Sequence, residues 1–140
     1  GKNLDGTVLY LGACRARCTG EGRAGRLVGG RCGVLSLADL SPQRGAEPGK
    51  VRPVLVIQND LLNETGHPST WILPCTTRLT GESLLRVALP RGIAGNRQDC
   101  EVMIDQSRAI DNRRLVRPLK PIPPVILREV ETKLRLAGSL

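Results

Sequence analysis

The sequence contains almost no aromatic residues and almost no histidine. Its 140 residues include one Trp, one Tyr and no Phe, which excludes a single-strand binder that stacks bases on rows of aromatic side chains. The one histidine, His67, excludes chemistry that needs two imidazoles within one chain. No apolar run reaches the roughly 18 residues that a membrane-spanning helix needs. Any nucleic-acid partner must therefore be bound mostly by polar side chains.

Metal-ligand patterns are also missing. The five cysteines are an odd number without a convincing secretory signal, which favours reduced thiols in a cytoplasm. Cys14, Cys18 and Cys32 have neither a C-x-x-C spacing nor a nearby histidine, and a zinc site would need a fourth ligand. The four acidic residues within 99–111 lack the dense ligand loop that oxygen-bound cations favour, so they are expected to be solvated or paired. We expect no metal and no cofactor.

Positive charge is present in excess, and it lies at the two ends of the chain. The formal net charge is +8. Residues 1–31 carry six basic and two acidic side chains together with eight of the 16 glycines, and residues 112–140 carry seven basic and two acidic side chains. This composition predicts a flexible basic Gly/Arg-rich extension over 1–30 and one folded domain over 31–140. The extension is either an arm that contacts RNA or a segment without a role.

Apolar patterning predicts a mainly β fold. Strands are expected at Gly33–Leu40, Val54–Ile57, Ser69–Pro74, Leu84–Leu89 and Glu101–Ile104. The second of these is an unbroken apolar run, which is typical of a strand buried on both faces. Residues 43–50 and 59–68 are expected to form loops, with His67 exposed, and four prolines are expected to interrupt the pattern over 118–124. Trp71 is expected in the core.

The last element is a predicted amphipathic helix from about Val125 to Ala137. Apolar residues recur there at helical spacing, Glu129 and Lys133 form an i,i+4 pair, and Gly138 can close the helix. Several short strands with one terminal helix predict a small, strongly curved sheet or barrel with the helix packed on it.

Three ordered blocks carry a resemblance to a known family. They are Gly45–Asp60 (GAEPGKVRPVLVIQND), Pro74–Thr77 (PCTT) and Asp99–Leu115, which contains DC, DQSRAID and RL. Together they closely resemble the MazF/PemK family of endoribonuclease toxins (mRNA interferases) of type II toxin–antitoxin systems, over about residues 31–137. The resemblance implies an SH3-barrel-like (CcdB/PemK-like) curved antiparallel sheet, a cytoplasmic homodimer without a membrane partner, single-stranded RNA as substrate and a MazE-like antitoxin as partner.

The resemblance also implies which residues form the site. Arg52 and Thr76 match the catalytic Arg and Thr of one branch of the family. In the Kid branch the catalytic His and Arg correspond to Ala46 and Met103 here, so only Asp105 carries over from that set. The residues implied to support the site or to bind RNA are Glu47, Lys50, Thr77, Arg78, Asp105, Gln106 and Arg108. For Gln106 and Arg108, a cross-strand hydrogen bond is an equal alternative.

The chemistry expected of these residues follows from their side chains. Cleavage of RNA without a metal uses the ribose 2′-hydroxyl as nucleophile, which leaves 2′,3′-cyclic phosphate and 5′-hydroxyl ends. Arg52 offers a fork of donors to phosphate, and Thr76 can add one hydrogen bond. A guanidinium with a pKa above about 12 is a poor general base at pH 7, so Glu47 or Asp105 is left for that role. The alternatives are a non-catalytic CcdB-like inhibitor of a cellular target and an inactive RNA-binding module.

Overall fold

The structure is a computed structural model that describes residues 30–41 and 50–140. Within these ranges the chain forms seven strands, two α-helices and two 3-10 turns. The strands are β1 (Val34–Asp39), β2 (Val51–Val56), β3 (Ser69–Thr76), β4 (Arg86–Leu89), β5 (Cys100–Met103), β6 (Arg108–Asp111) and β7 (Leu115–Pro121). The helices are α1 (Asp60–Glu64) and α2 (Pro124–Gly138), and the 3-10 turns are Ile104–Gln106 and Asn112–Arg114. No helix in the described part of the chain is both long and apolar enough to cross a membrane.

All strand pairs are antiparallel, and β3 is the central element of the sheet. The strand order is β4-β5-β3-β2-β1-β7, and β6 also pairs with β3. Along one edge of β3, its first half pairs with β6 and its end pairs with β5, while β2 pairs along the other edge. The 3-10 turn Ile104–Gln106 joins β5 to β6. These two consecutive strands therefore pair with different halves of the same edge of β3.

Two apolar clusters lie on opposite faces of β2 and β3. On one face, Leu55 and Leu73 pack in the larger cluster, which includes Val130 of α2. On the other face, Val54 and Ile72 pack in a smaller cluster. Each of these β2 and β3 residues is 0% exposed. The predicted burial of the second strand on both faces is thus confirmed for its central residues.

The five predicted strands and the terminal helix are confirmed, with shifted ends. The second strand begins at Val51 rather than Val54, and the third continues to Thr76. The i,i+4 ion pair joins Lys133 Nζ to Glu129 Oε2 at 2.9 Å. Gly138 lies within the helix, and Ser139 with φ of 57° caps it in the left-handed conformation.

The sequence patterns did not predict three of the elements. Helix α1 lies in a predicted loop, where Asn59 caps it by accepting a 2.7 Å hydrogen bond from the Leu61 N–H. Strand β6 is only four residues long. Strand β7 runs through Pro118 and ends at Pro121, so the predicted interruption is wrong there. Because β7 is the outermost strand next to β1, a proline without an N–H can be accommodated at that edge.

Two further sequence predictions were wrong. Cys75 and Cys100 are free and buried, but Cys32 is disulfide-bonded, which contradicts reduced thiols at that position. Trp71 is 39% exposed rather than part of the core. His67 is exposed, as expected. The predicted extension over 1–30 and the loop over 43–50 lie almost entirely outside the described residues.

A large-to-small substitution in the doubly covered strand tests this core arrangement. Leu55→Ala removes a side chain that is 0% exposed, and such changes typically cost about 2–5 kcal/mol through lost burial and the cavity left behind. The matched control is Leu61→Ala, since Leu61 is 55% exposed and its loss should change stability by less than about 0.5 kcal/mol. Denaturant unfolding of both variants measures the difference. Equal effects would contradict the described burial.

Candidate functional site

A side-chain hydrogen bond brings Arg52 to the end of β3. Arg52 lies opposite Ala38 of β1, and the pairing of β2 with β3 ends at Val54 and Pro74, two residues short of Arg52. Arg52 Nη1 donates a 3.2 Å hydrogen bond to the Cys75 carbonyl, directly before Thr76 in the chain. The guanidinium matched by the family resemblance therefore lies beside the residue that precedes Thr76.

Arg52 is held in place by the strand that carries it. Pro53 follows it with a restricted backbone, and the next three residues of β2 are 0% exposed. Arg52 as a whole is half-buried. A side chain that is fixed at its base and partly open at its end can present a planar donor fork to phosphate oxygens.

The Thr76 hydroxyl has one defined contact, to the chain that follows it. Thr76 Oγ1 accepts a 3.1 Å hydrogen bond from the Arg78 N–H. A hydroxyl that accepts through its oxygen can still donate its own proton. Thr77 and Arg78 are exposed, so the predicted residues of this block surround the half-buried Thr76 at the rim of the sheet.

A buried carboxylate on β5 lies opposite Thr76. Glu101 pairs directly with Thr76 and is 5% exposed. Arg86 Nη1 of β4 contacts its Oε1 at 3.0 Å. Thr76 and Glu101 are thus paired across β3 and β5, and the Arg52 side chain contacts the residue before Thr76. From the sequence, Glu101 is expected to be solvated or paired, and the structure shows it buried and paired. The sequence did not identify it as a site residue.

The remaining predicted residues form a second group at the turn between β5 and β6. Asp105 is exposed, while Gln106 and Arg108 are half-buried. Arg108 pairs with Ile72, which lies four residues before Thr76 on β3, or about 13 Å along the strand. The fold places this group along the same edge of β3 as Glu101.

Lys50 is hydrogen-bonded to the two residues that follow β1. Its N–H donates to Ser41 Oγ at 3.2 Å and its carbonyl accepts from the Leu40 N–H at 2.9 Å. Lys50 has φ of 62°, a conformation that is uncommon for residues other than glycine. Glu47, a predicted general base, lies outside the described residues. Among the described residues, no group of three or more His, Cys, Asp or Glu could hold a metal ion.

Arg114 is hydrogen-bonded to the same part of the chain, at the end of β1. Its Nη1 donates to the carbonyls of Asp39 at 3.1 Å and Ser41 at 2.8 Å. Hydrogen bonds from Ser41, with a smaller contribution from the Arg114 charge, lower the pKa of Asp39. Hydrogen bonds from Arg113 lower the pKa of Asp111 to about 2.

Comparison with known proteins shows that this chain matches one family. The profile of the family described as PemK-like, MazF-like toxin of type II toxin–antitoxin system matches residues 31–137. The chain is 32% identical over 109 residues to endoribonuclease EndoA of Bacillus subtilis, covering 77% of this chain and 93% of that protein. It is 30% identical over 110 residues to endoribonuclease MazF9 of Mycobacterium tuberculosis, covering 76% and 93%.

Solved structures show the same fold. The crystal structure of MazF from Deinococcus radiodurans has a TM-score of 0.67 at 29% identity, covering 78% of this chain and 96% of that chain. A crystal structure of MazE–MazF from the same organism has a TM-score of 0.63 at 29% identity, covering 78% and 95%. The predicted fold class, a mainly β curved antiparallel sheet with a C-terminal helix, is confirmed.

The lowered pKa values predict a loss of stability in acid. Asp39, Glu101 and Asp111 each have a pKa below the ordinary value of 3.8 or 4.5. Such groups stabilise the folded state above their unfolded pKa, and this contribution is lost as pH falls toward their folded pKa. The melting temperature should therefore change little from pH 7 to about pH 5 and fall below about pH 4.5. Asp111→Asn should reduce the part of the decline nearest pH 2, and a melting temperature that rises on acidification would contradict the prediction.

Proposed function

The chain belongs to the PemK-like, MazF-like toxin family of type II toxin–antitoxin systems, and on this premise we propose that it is a toxin that cleaves single-stranded RNA, as a metal-independent, sequence-specific endoribonuclease. The observation that carries the proposal is the hydrogen bond from Arg52 to the Cys75 carbonyl, which brings the guanidinium to the end of β3 next to Thr76. Relatives that are 30% and 32% identical bear the name endoribonuclease, which supports the same activity here.

In the proposed reaction, the ribose 2′-oxygen attacks the adjacent phosphorus. The bond from the 2′-oxygen to phosphorus forms as the bond to the 5′-oxygen breaks, which gives a 2′,3′-cyclic phosphate and a 5′-hydroxyl. Arg52 stabilises the negative charge on the phosphoryl oxygens and donates a proton toward the leaving 5′-oxygen. Thr76 contributes one hydrogen bond from its hydroxyl. The proton of the 2′-hydroxyl passes to a carboxylate, either Glu47 or the exposed Asp105.

The proposed setting follows the family. We propose a cytoplasmic homodimer whose partner is a MazE-like antitoxin, since a related MazF has been solved together with MazE. Exposed apolar side chains, such as Val116 at 55% and Val125 at 63%, are available to be buried between two copies. The alternatives, a CcdB-like inhibitor or an inactive RNA-binding module, would leave the placement of Arg52 beside Thr76 without a catalytic use.

Cleavage of bare RNA tests the proposed activity. A long single-stranded RNA should be cut in excess EDTA and should yield 2′,3′-cyclic phosphate (or its 3′-phosphate hydrolysis product) and 5′-hydroxyl ends. Arg52→Ala should lower the rate by about 100-fold or more, since one lost charge-stabilising donor costs roughly 2.7–4 kcal/mol. The control is Arg128→Ala, an exposed arginine on α2, which should retain the wild-type rate.

Three results would count against this activity. Products with 5′-phosphates would contradict the mechanism, a fully active and folded Arg52→Ala protein would remove Arg52 from it, and RNA that is bound but never cut would favour the inactive binding module. Mapping the cut ends would also identify the recognised RNA sequence.

Inhibition by the antitoxin should be competitive with RNA. Arg52, Arg78 and Arg108 are expected to frame the RNA groove, so an acidic peptide could occupy it through the same charges that hold phosphates. Arg86, on β4, is paired with Glu101. Arg52→Ala protein with labelled RNA should release the RNA when a saturating acidic antitoxin peptide is added, and higher salt should weaken both interactions. A neutral peptide of equal length is the control, and simultaneous, undiminished binding of RNA and peptide would contradict a shared groove.

A further inference from the structure

The chain between β3 and β4, residues 77–85, is fastened to the sheet by the carboxylate of Glu101. The Gly81 N–H donates to Glu101 Oε2 at 3.0 Å, and the Thr80 N–H donates to Oε1 at 3.2 Å. The Thr80 hydroxyl adds a bond to Oε1 at 3.3 Å, and Arg86, just after the loop, adds its 3.0 Å contact. One buried carboxylate therefore holds the middle of the loop and the strand that follows it.

Apolar burial contributes little to the position of the middle of this loop. Leu79 is 53% exposed and Leu84 is 61% exposed. At the end of the loop, Leu85 packs against the larger apolar cluster, and its carbonyl accepts a 2.9 Å hydrogen bond from the Ile104 N–H. Glu82, the other carboxylate of the loop, makes local bonds to the N–H groups of Leu84 and Leu85 and does not attach the loop to the sheet. A segment with few buried apolar contacts depends on its polar attachments for a fixed conformation.

The far end of the attachment is itself anchored to helix α2. Lys133 Nζ donates to the Arg86 carbonyl at 3.0 Å and to Glu129 at 2.9 Å. Arg86 is thus held through both its backbone and its guanidinium. Because Arg86 also contacts Glu101, the carboxylate that holds the loop is linked to helix α2 through Arg86 and Lys133.

The location of Glu101 gives this attachment a consequence for the site. Glu101 is the direct cross-strand neighbour of Thr76, and Arg78 follows Thr76 at the start of the loop. Burying a charged carboxylate is costly unless it is fully paired, and an apolar side chain would serve packing alone at least as well. Burial raises the pKa of Glu101, but hydrogen bonds from Gly81, Thr80 and Arg86 lower it below its ordinary value, so the group is ionised at neutral pH.

Building on the proposed nuclease function, we propose that Glu101 is a positioning residue that holds the 77–85 loop, with Arg78, as one wall of the RNA groove beside Arg52 and Thr76. Glu101 does not touch the reacting atoms. It acts by fixing the loop, so its contribution is to RNA binding rather than to the chemical step.

Limited trypsin digestion tests the attachment without reference to activity. Glu101→Gln keeps the size of the side chain but has only one carbonyl oxygen, so it cannot accept from both Gly81 and Arg86 as the two carboxylate oxygens do. The released loop should be cut after Arg78 at least about 10-fold faster than in the wild type, with the cut located by mass spectrometry. Glu101→Asp keeps the charge on a shorter side chain and should be intermediate. The matched control is Asp111→Asn, which removes a carboxylate that also contacts an arginine at 3.0 Å but is exposed, and it should be cut after Arg78 at the wild-type rate.

Steady-state cleavage of a short single-stranded RNA that spans a mapped cut site tests the consequence for the groove. Glu101→Gln should raise KM by about 10-fold, the effect of one lost hydrogen bond to a charged group, and should leave kcat within about twofold. A merely structural defect reduces the folded fraction, which lowers the apparent kcat and leaves KM unchanged.

The outcomes separate the two proposals. Unchanged trypsin cutting after Arg78, or faster cutting with an unchanged KM, would overturn the role of Glu101. If the wild-type protein cuts no RNA, the proposed nuclease function fails, and with it the role of Glu101 in RNA positioning, while the trypsin comparison still decides whether Glu101 holds the loop. If Glu101→Gln does not fold, Glu101→Asp provides both measurements.

Discussion

The antiparallel pairing of β3 with three other strands is the constraint on which the rest of the structure depends. β2 lies along one edge of β3, and β5 and β6 share the other. Because opposite residues of paired strands share a face, this pairing places Thr76 beside Glu101. The Arg52 side chain reaches the same end of β3, although the three residues come from segments far apart in the chain. A shift of one residue in either register would turn one of these side chains to the opposite face.

The same pairing divides the apolar side chains between two clusters. Successive residues of β2 alternate between the cluster beneath α2 and the smaller cluster on the other face. The strand that carries Arg52 is therefore anchored from both sides, and its charged residue sits where the apolar run begins. Precise placement of a donor depends on such support at the base of its side chain, which makes this core part of the site.

Charge at the site is arranged by pairing rather than by the net excess of basic residues. Arg86 is neutralised by Glu101, and Arg113 is paired with Asp111, so neither adds freely to a positive surface. Arg52 donates a hydrogen bond to the Cys75 carbonyl. With almost no aromatic residues to stack bases, the protein depends on the placement of a few such groups for any contact with RNA.

The sequence by itself determined the elements that have strong local signals. The apolar run Val54–Val56 and the helical spacing over 125–137 identified the doubly buried strand and the terminal helix, because these signals depend on residues near one another in the chain. The three motif blocks led to Arg52 and Thr76 only through the family resemblance. Helix α1, the proline-containing edge strand β7 and the role of Glu101 were decided by the tertiary structure. The proline in β7 is accommodated because β7 is the outermost strand, and Glu101 becomes the neighbour of Thr76 only when β5 pairs with the end of β3. Long-range pairing of this kind leaves no periodic pattern in the sequence, so its consequences are visible only once the sheet has formed.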